Sequence, residues 1–235
     1  MGIKVNQETL QMIADLSNAR GASGFEDETV QAAAKHIGEG YTTEEDCLRN
    51  FYMYRTANSG NKPVFMLDAH SDEVGFMVHS IRPNGTLRFV ALGGWNVGSL
   101  ASSKVLVRNS EGKYLPGVIA AKPVHFMSAS EKASAGAADI SSLSIDIGAV
   151  SAKDAAENFK IRIGEPGVPD VTLEYDEEHD LMFGKAFDCR IGCAALIETL
   201  RRLRDEKLDV DVVGVLSSQE EVGERGMKVA VNHIK

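Results

Sequence analysis

At 235 residues, with 43% hydrophobic and 25% charged side chains, the chain is long enough to bury one large or two modest cores and has an ordinary globular composition. A formal net charge of −9 argues against a nucleic-acid partner, and no run approaches the roughly 18 uninterrupted apolar residues of a membrane helix. The start, Met1-Gly2-Ile3-Lys4-Val5-Asn6, lacks the basic flank and apolar run of a secretory signal. Without Ser or Thr at positions 6 and 7, Gly2 is not read as a myristoylation site. The three cysteines, Cys47, Cys189 and Cys193, form no paired framework, which suits a reducing, cytoplasmic setting. Cys189 and Cys193, one helical turn apart, are read as small buried residues on one helix face rather than as a metal or redox pair.

Leu10, Ile13 and Leu16 recur at helical spacing behind Asn6, a capping residue type. The segment Gly21-Ala22-Ser23-Gly24-Phe25-Glu26 breaks that helix, and Val30, Ala33 and Ile37 mark a second. Pro63-Val64-Phe65-Met66-Leu67 reads as a buried strand that ends in polar Asp68-Ala69-His70-Ser71-Asp72-Glu73. Helices alternating with short apolar strands predict an open α/β sheet.

The texture changes over residues 74–165. Val74 to Ile81 and Thr86 to Ala91 are strand-like and joined by the hairpin signal Pro83-Asn84-Gly85. A second pair, 105–108 and 114–119, flanks Glu111-Gly112. These features predict a small all-β, barrel-like unit inserted into the α/β domain, which would comprise residues 1–73 and 166–235. The Ala-, Ser- and Gly-rich piece from Ser128 to Ser144 is read as an exposed loop of the insert. Ser151 with Asp154 signals a capped short helix ahead of Ile161-Arg162-Ile163.

After residue 170 the α/β pattern resumes. Gly184 to Arg190 leads into a helix carrying Ile191, Leu196, Ile197 and Leu200. Val210 to Leu216 is a strand of the central-sheet type, and a last helix begins near Arg225.

Three polar clusters follow strand ends or strand–helix junctions, the edge where open α/β sheets bind ligands. In His70-Ser71-Asp72 a neutral imidazole can ligate a metal while the carboxylate fixes its tautomer. Asp188 precedes a helix; alone it is an N-cap, and in company its two oxygens can bridge two cations. Glu220-Glu221 follows a strongly apolar strand, where adjacent acids repel unless something positive sits between them; a solvated turn is the ordinary alternative. With metal present, one acid can coordinate and the other can hold a proton.

In this order the clusters, His-x-Asp, Asp-x-Arg-x-Gly and Glu-Glu, resemble those of the cytosolic two-metal aminopeptidases of the glutamyl and deblocking aminopeptidase family, some of which carry an endoglucanase label. The resemblance runs through the whole chain, including Ser23-Gly24-Phe25-Glu26, Asp68 to Phe76, Leu92-Gly93-Gly94-Trp95, Asp146-Ile147-Gly148 and Gln219 to Gly223. It implies an open mixed sheet flanked by helices, of the zinc-aminopeptidase type, with the β insert as an oligomerisation domain. It also implies release of N-terminal residues from short peptides, and a large homo-oligomer in which dimers assemble to a dodecamer. His70 would bind one of two divalent ions, with zinc expected and cobalt or manganese also suited. Asp188 would bridge both ions and Glu221 would bind the other. Glu220 would be the general base activating the bridging water, and Asp72 would orient His70. The peptide between Asp188 and Cys189 would be cis. Cys189 stands where the family often has Asp or Asn, and no role is carried onto it. Members of the family run on and supply two further ligands, which would lie beyond Lys235; either the chain is a fragment, or another polypeptide completes the site, or the protein binds metal poorly.

Two other readings compete. A glycoside hydrolase would use Glu220 and a second carboxylate about 5 to 10 Å away, without metal and without His70. A non-catalytic subunit would keep the fold alone. Of the other histidines, His79 and His125 fall in the β insert and His36, His179 and His233 have no marking partners.

Overall fold

The computed structural model describes residues 5–122, 124–128 and 139–234. The chain forms two compact units, Met1–Glu73 with Val171–Lys235, and Val74–Asp170.

The first unit begins with α1 (Gln7–Asn18), α2 (Asp27–Ile37), β1 (Tyr41–Glu45), β2 (Phe51–Arg55) and β3 (Val64–His70). Asn6 caps α1, its Oδ1 accepting the Thr9 N–H at 2.8 Å. Met12, Ile13 and Leu16 line the buried stripe of that helix, as Val30, Ala33 and Ile37 do in α2.

The second unit holds β4 (Gly75–Ile81), β5 (Leu87–Leu92), β6 (Lys104–Arg108), β7 (Tyr114–Ala120), β8 (Ser144–Asp146), α3 (Ala152–Glu157) and β9 (Pro166–Pro169). Its strands close into a barrel in the order β4-β5-β8-β7-β6-β9. Alternate residues fill it: Leu87 and Phe89 from β5, Val105 and Val107 from β6, with Phe76 packed edge-on to Phe89 and stacked on Trp95. The β4–β5 turn needs its glycine, since Gly85 sits at φ +90° and a Cβ there would lie 2.3 Å from the Ala149 carbonyl oxygen. Ser151 caps α3 by accepting the Asp154 N–H, while the Asp154 carboxylate reaches back to Val150. This unit extends through Asp170 rather than stopping at 165, because β9 pairs with both β4 and β6 and closes the barrel. Within the Ser128–Ser144 stretch, residues 129–138 lie outside the described residues, and Ile140–Ser142 is a 3-10 turn leading into β8.

The chain returns through the hairpin β10 (Glu174–Asp176) and β11 (Leu181–Phe183), then α4 (Phe187–Leu203), β12 (Asp211–Ser217) and α5 (Arg225–His233). The sheet order is β1-β2-β12-β3, with β12 parallel to β3 and antiparallel to β2. Every residue of β12 is buried: Val212 and Leu216 pack in the core formed by α1, α2 and α4, and Val213 and Val215 pack with Tyr52 and Ala230 of α5. The fold is thus the expected mixed α/β sheet with an added β barrel.

One strand departs from expectation. β3 terminates the sheet order, so Val64 and Phe65 are 39% and 55% exposed, and only its last two residues are buried. It also continues past the apolar run, since the ladder to β12 extends to the pair Ser217 and His70. Both strands therefore end side by side, with His70 the last residue of β3.

Candidate metal centre

Because β3 and β12 run parallel, the segments that follow them, Ser71–Glu73 and Ser218–Gly223, emerge at one edge. The Ser71 N–H donates to the Ser217 carbonyl at 2.7 Å and ties the two exits together. The third cluster arrives at the start of α4, where Asp188 and Cys189 are non-helical and the peptide between them is cis.

His70 is buried, with Nε2 2.9 Å from Asp188 Oδ1 and 3.9 Å from Glu220 Oε2. Its Nδ1 faces Asp72, 3.2 Å from the backbone oxygen and 3.4 Å from Oδ1. A proton on Nδ1 donated to Asp72 leaves the Nε2 lone pair facing the other acids. Among the described residues two sets of three metal-type donors have their atoms within 4.8 Å of one another: His70 with Asp188 and Cys189, and His70 with Glu220 and Glu221. His70, Asp188, Glu220 and Glu221 thus meet although His70 and Asp188 are 118 residues apart.

The electrostatics suit a cation. Burial by itself would lower the His70 pKa, but its bonds to Asp72 and Asp188 outweigh it and push the imidazole up to about 9. Burial also raises the Glu221 carboxyl, and the negative charge of Asp72 adds to that. Imidazole nitrogen with converging carboxylate oxygens is a donor set that zinc, cobalt or manganese accepts, so the residues present fit a divalent metal.

Asp72 also anchors the acid pair through the pair's backbone. It is fully buried, and its Oδ1 accepts the Glu220 N–H at 3.0 Å while Oδ2 accepts the Glu221 N–H at 3.1 Å and the Ser23 hydroxyl at 2.6 Å. Burial opposes its ionisation, yet these bonds and His70 hold its pKa below the ordinary value. Behind it, buried Glu73 accepts from Lys185 Nζ and the Gly21 N–H, and Arg190 donates to the Leu16 and Ala19 carbonyls. Ser23, Lys185 and Arg190 stand in motifs visible in the sequence, but their partners do not.

Burial raises the Cys189 thiol, which favours its neutral form over a thiolate. Cys193 is core, its Sγ donating to the His70 carbonyl at 3.1 Å. His79 and His125 are exposed. His36 and His179 pair with Asp15 and Asp176, and His233 packs on Tyr52.

The M42 glutamyl aminopeptidase model matches residues 50–235, and the chain belongs to that family, whose members are metal-dependent peptidases. A glutamyl aminopeptidase of Lactococcus lactis subsp. cremoris is 33% identical over 224 residues, covering 95% of this chain and 62% of the relative. The solved TET aminopeptidase of Thaumarchaeota archaeon SCGC AB-539-E09 superposes with a TM-score of 0.90 at 32% identity, covering 97% of this chain and 64% of that one. Pyrococcus horikoshii TET1 peptidase, described as assembling into a tetrahedron or a large octahedral shell, gives 0.83 at 28% identity, covering 96% and 65%. The chain therefore spans less than two thirds of the length of each. No helix among the described residues is long and apolar enough to cross a membrane.

Proposed function

We propose that the protein is a metallo-aminopeptidase that removes N-terminal residues from short peptides, with His70, Asp188 and Glu221 as metal ligands, Glu220 as general base and Asp72 orienting His70. The observation that carries this reading is the His70 imidazole, whose Nε2 lies 2.9 Å from Asp188 and 3.9 Å from Glu220, with Glu221 in the same group of donors. Two divalent cations, zinc in the first instance, would supply Lewis-acid activation of water and of the scissile carbonyl. Asp188, with a 90% exposed side chain 2.9 Å from His70 Nε2, would bridge the two ions. Glu220 is 40% exposed and anchored through its backbone by Asp72, so its carboxylate is open to take a proton from the attacking water and pass it to the leaving amide nitrogen. Asp72, Glu220 and Glu221 together favour a peptide's α-ammonium group near the same place.

The barrel unit supports association: Val90, Val118, Phe126 and Ile163 are large, apolar and exposed on it. With the assembly described for the TET1 peptidase, this favours a homo-oligomer of dimers, up to a dodecamer. The three cysteines are free, in keeping with a cytoplasmic setting.

The test is to titrate zinc, cobalt or manganese into the protein by calorimetry and to follow cleavage of peptides with free and acetylated N-termini. Metal binding, with chelator-sensitive cleavage of the free-ended peptides, is expected. Cleavage of β-glucan that survives chelation would favour the glycoside hydrolase reading, against which His70 and its Asp72 support already count. A folded protein that binds no metal would leave the non-catalytic reading.

A further inference from the structure

Four consecutive backbone amides lead into and through the Glu220–Glu221 pair, and each donates to a fully buried side chain. Ser218 N–H goes to Asn50 Oδ1 at 2.9 Å and Gln219 N–H to Glu26 Oε1 at 3.1 Å. Glu220 and Glu221 N–H go to the two oxygens of Asp72. Asn50, Glu26 and Asp72 each have 0% exposure and come from three different segments.

Within this series Gln219 is the strained point. Its φ of 55° lies in the left-handed region, which costs a non-glycine residue about 1 kcal/mol and persists only where neighbours impose it. Gln219 stands directly before Glu220, two residues past the end of β12. Glu26 reaches it across 193 residues of sequence. The same Glu26 oxygen accepts the Gly24 N–H at 2.8 Å, which fixes the carboxyl group in the turn ahead of α2. Its other oxygen is buried without a hydrogen-bond partner. Neither oxygen is among the clustered metal-type donors.

We propose that Glu26 is a positioning residue for the reaction: by accepting the Gln219 N–H it holds the left-handed turn that aims the Glu220 carboxylate. The inference rests on Glu220 being the general base. It differs from scaffolding by Asn50, which joins both ends of the turn by accepting from Ser218 and donating to the Gly226 carbonyl. Glu26 acts at Gln219, the left-handed residue directly before Glu220.

The test compares the full-length protein with E26L, which removes the acceptor, and E26Q, which keeps a carbonyl oxygen in its place. Amide hydrogen exchange is read at Gln219, Glu220 and Glu221, together with zinc affinity, kcat and KM. In E26L, exchange at these three amides should quicken by about tenfold or more, the scale of losing one buried hydrogen bond, while β12 stays protected. The kcat should fall by about tenfold or more, with KM and zinc affinity within about threefold of the parent. E26Q should restore both exchange protection and kcat to within about threefold.

Unchanged exchange and kcat in E26L would overturn the proposal, as would an E26Q that loses as much kcat as E26L. If E26L does not fold, E26Q decides alone: protected amides and near-parental kcat sustain the proposal, and loss of either overturns it. An unsubstituted protein that fails to cleave peptides would sink the aminopeptidase reading, whereas slow exchange at Gln219 that survives E26L would sink the restraint itself.

Discussion

Asp72 Oδ1 accepts the backbone N–H of Glu220 at 3.0 Å, across 148 residues of sequence. The side chain that steadies the His70 imidazole therefore also fixes the backbone of the proposed base. A carboxylate accepts with both oxygens, whereas the Asp72→Asn amide accepts with one and turns a donor toward other donors. Asp72→Asn should cost about 2 to 4 kcal/mol of stability, measured by urea unfolding. Metal affinity should drop about 10- to 100-fold by calorimetric titration, because the imidazole loses its orienting partner. A variant with parental stability and affinity would show that the Asp72 bonds carry little.

Glu73 and Lys185 form a second buried pair, with side chains 1% and 6% exposed. Burial pulls the Lys185 pKa down and Glu73 opposes that, so each charge depends on the other. Lys185→Met would strand a buried carboxylate that keeps the Gly21 N–H and an Arg190 contact at 3.9 Å. We expect a loss of about 3 to 5 kcal/mol in urea unfolding. The double variant with Glu73→Leu should lose less than the sum of the two single changes. Strict additivity would show that the pair is not coupled.

Much of the fold is legible in the sequence because its strongest signals are local. The barrel hairpins carry period-2 alternation and turn residues, and β12 is a run of buried aliphatics. β1 escaped because Tyr41-Thr42-Thr43-Glu44-Glu45 is mostly exposed and shows no apolar alternation. The β10–β11 hairpin escaped because its strands, three residues each, are too short to show a period. In the site, His70, Asp188, Glu220 and Glu221 stand out as acids or an imidazole at strand and helix ends. Their supports are harder to read: Ser23 and Glu26 stand in a visible motif and Asn50 at a strand edge, but their partners lie 49, 193 and 168 positions away. Spacing cannot reveal a contact that exists only once β3 and β12 are paired.

Gly226 shows how tightly the turn after β12 closes. A Cβ there would lie 2.3 Å from Asn50 Oδ1 and 2.4 Å from the Ser218 carbonyl oxygen, and the latter is backbone that cannot swing aside. Gly226→Ala should lower stability by about 1 to 3 kcal/mol in thermal or urea unfolding. It should also weaken metal binding, since Ser218 lies two residues ahead of the acid pair. A neutral substitution would mean that the turn has room to relax.

Glu26 gives the protein a pH dependence of definite sign. Burial raises its carboxyl from 4.5 to about 7 against the N–H bonds from Gly24 and Gln219, and the Asp72 charge adds to the rise. Between about pH 4.5 and 7 the folded state keeps a proton that the unfolded chain has released. The resulting stability is fully present below about 4.5 and is lost as pH rises through about 7, a swing of up to about 3 kcal/mol. Glu26→Gln has no such titration. In urea unfolding of metal-free protein, its stability relative to the parent should therefore improve across that range by a similar amount. A difference that does not vary with pH would show Glu26 ionised throughout.

The adjacent acids Glu220 and Glu221 offer the sharpest division of roles. They share a charge, a chain segment and an anchor in Asp72, so a purely electrostatic part for both predicts similar, small effects on substitution. The proposed roles predict opposite patterns. Glu220→Gln keeps shape and hydrogen bonding but removes the basic oxygen, so metal should bind as in the parent while turnover falls by about 100-fold or more. Glu221→Gln removes a ligand oxygen from the set shared with His70, so metal affinity should fall and part of the lost activity should return in excess metal. Binding titrations and peptide cleavage, each with and without added zinc, separate the two. Rescue of Glu220→Gln by zinc would exchange the assignments, making Glu220 the ligand. Equal, mild losses in both variants would leave neither acid with a distinct task and would remove Glu220 as the base.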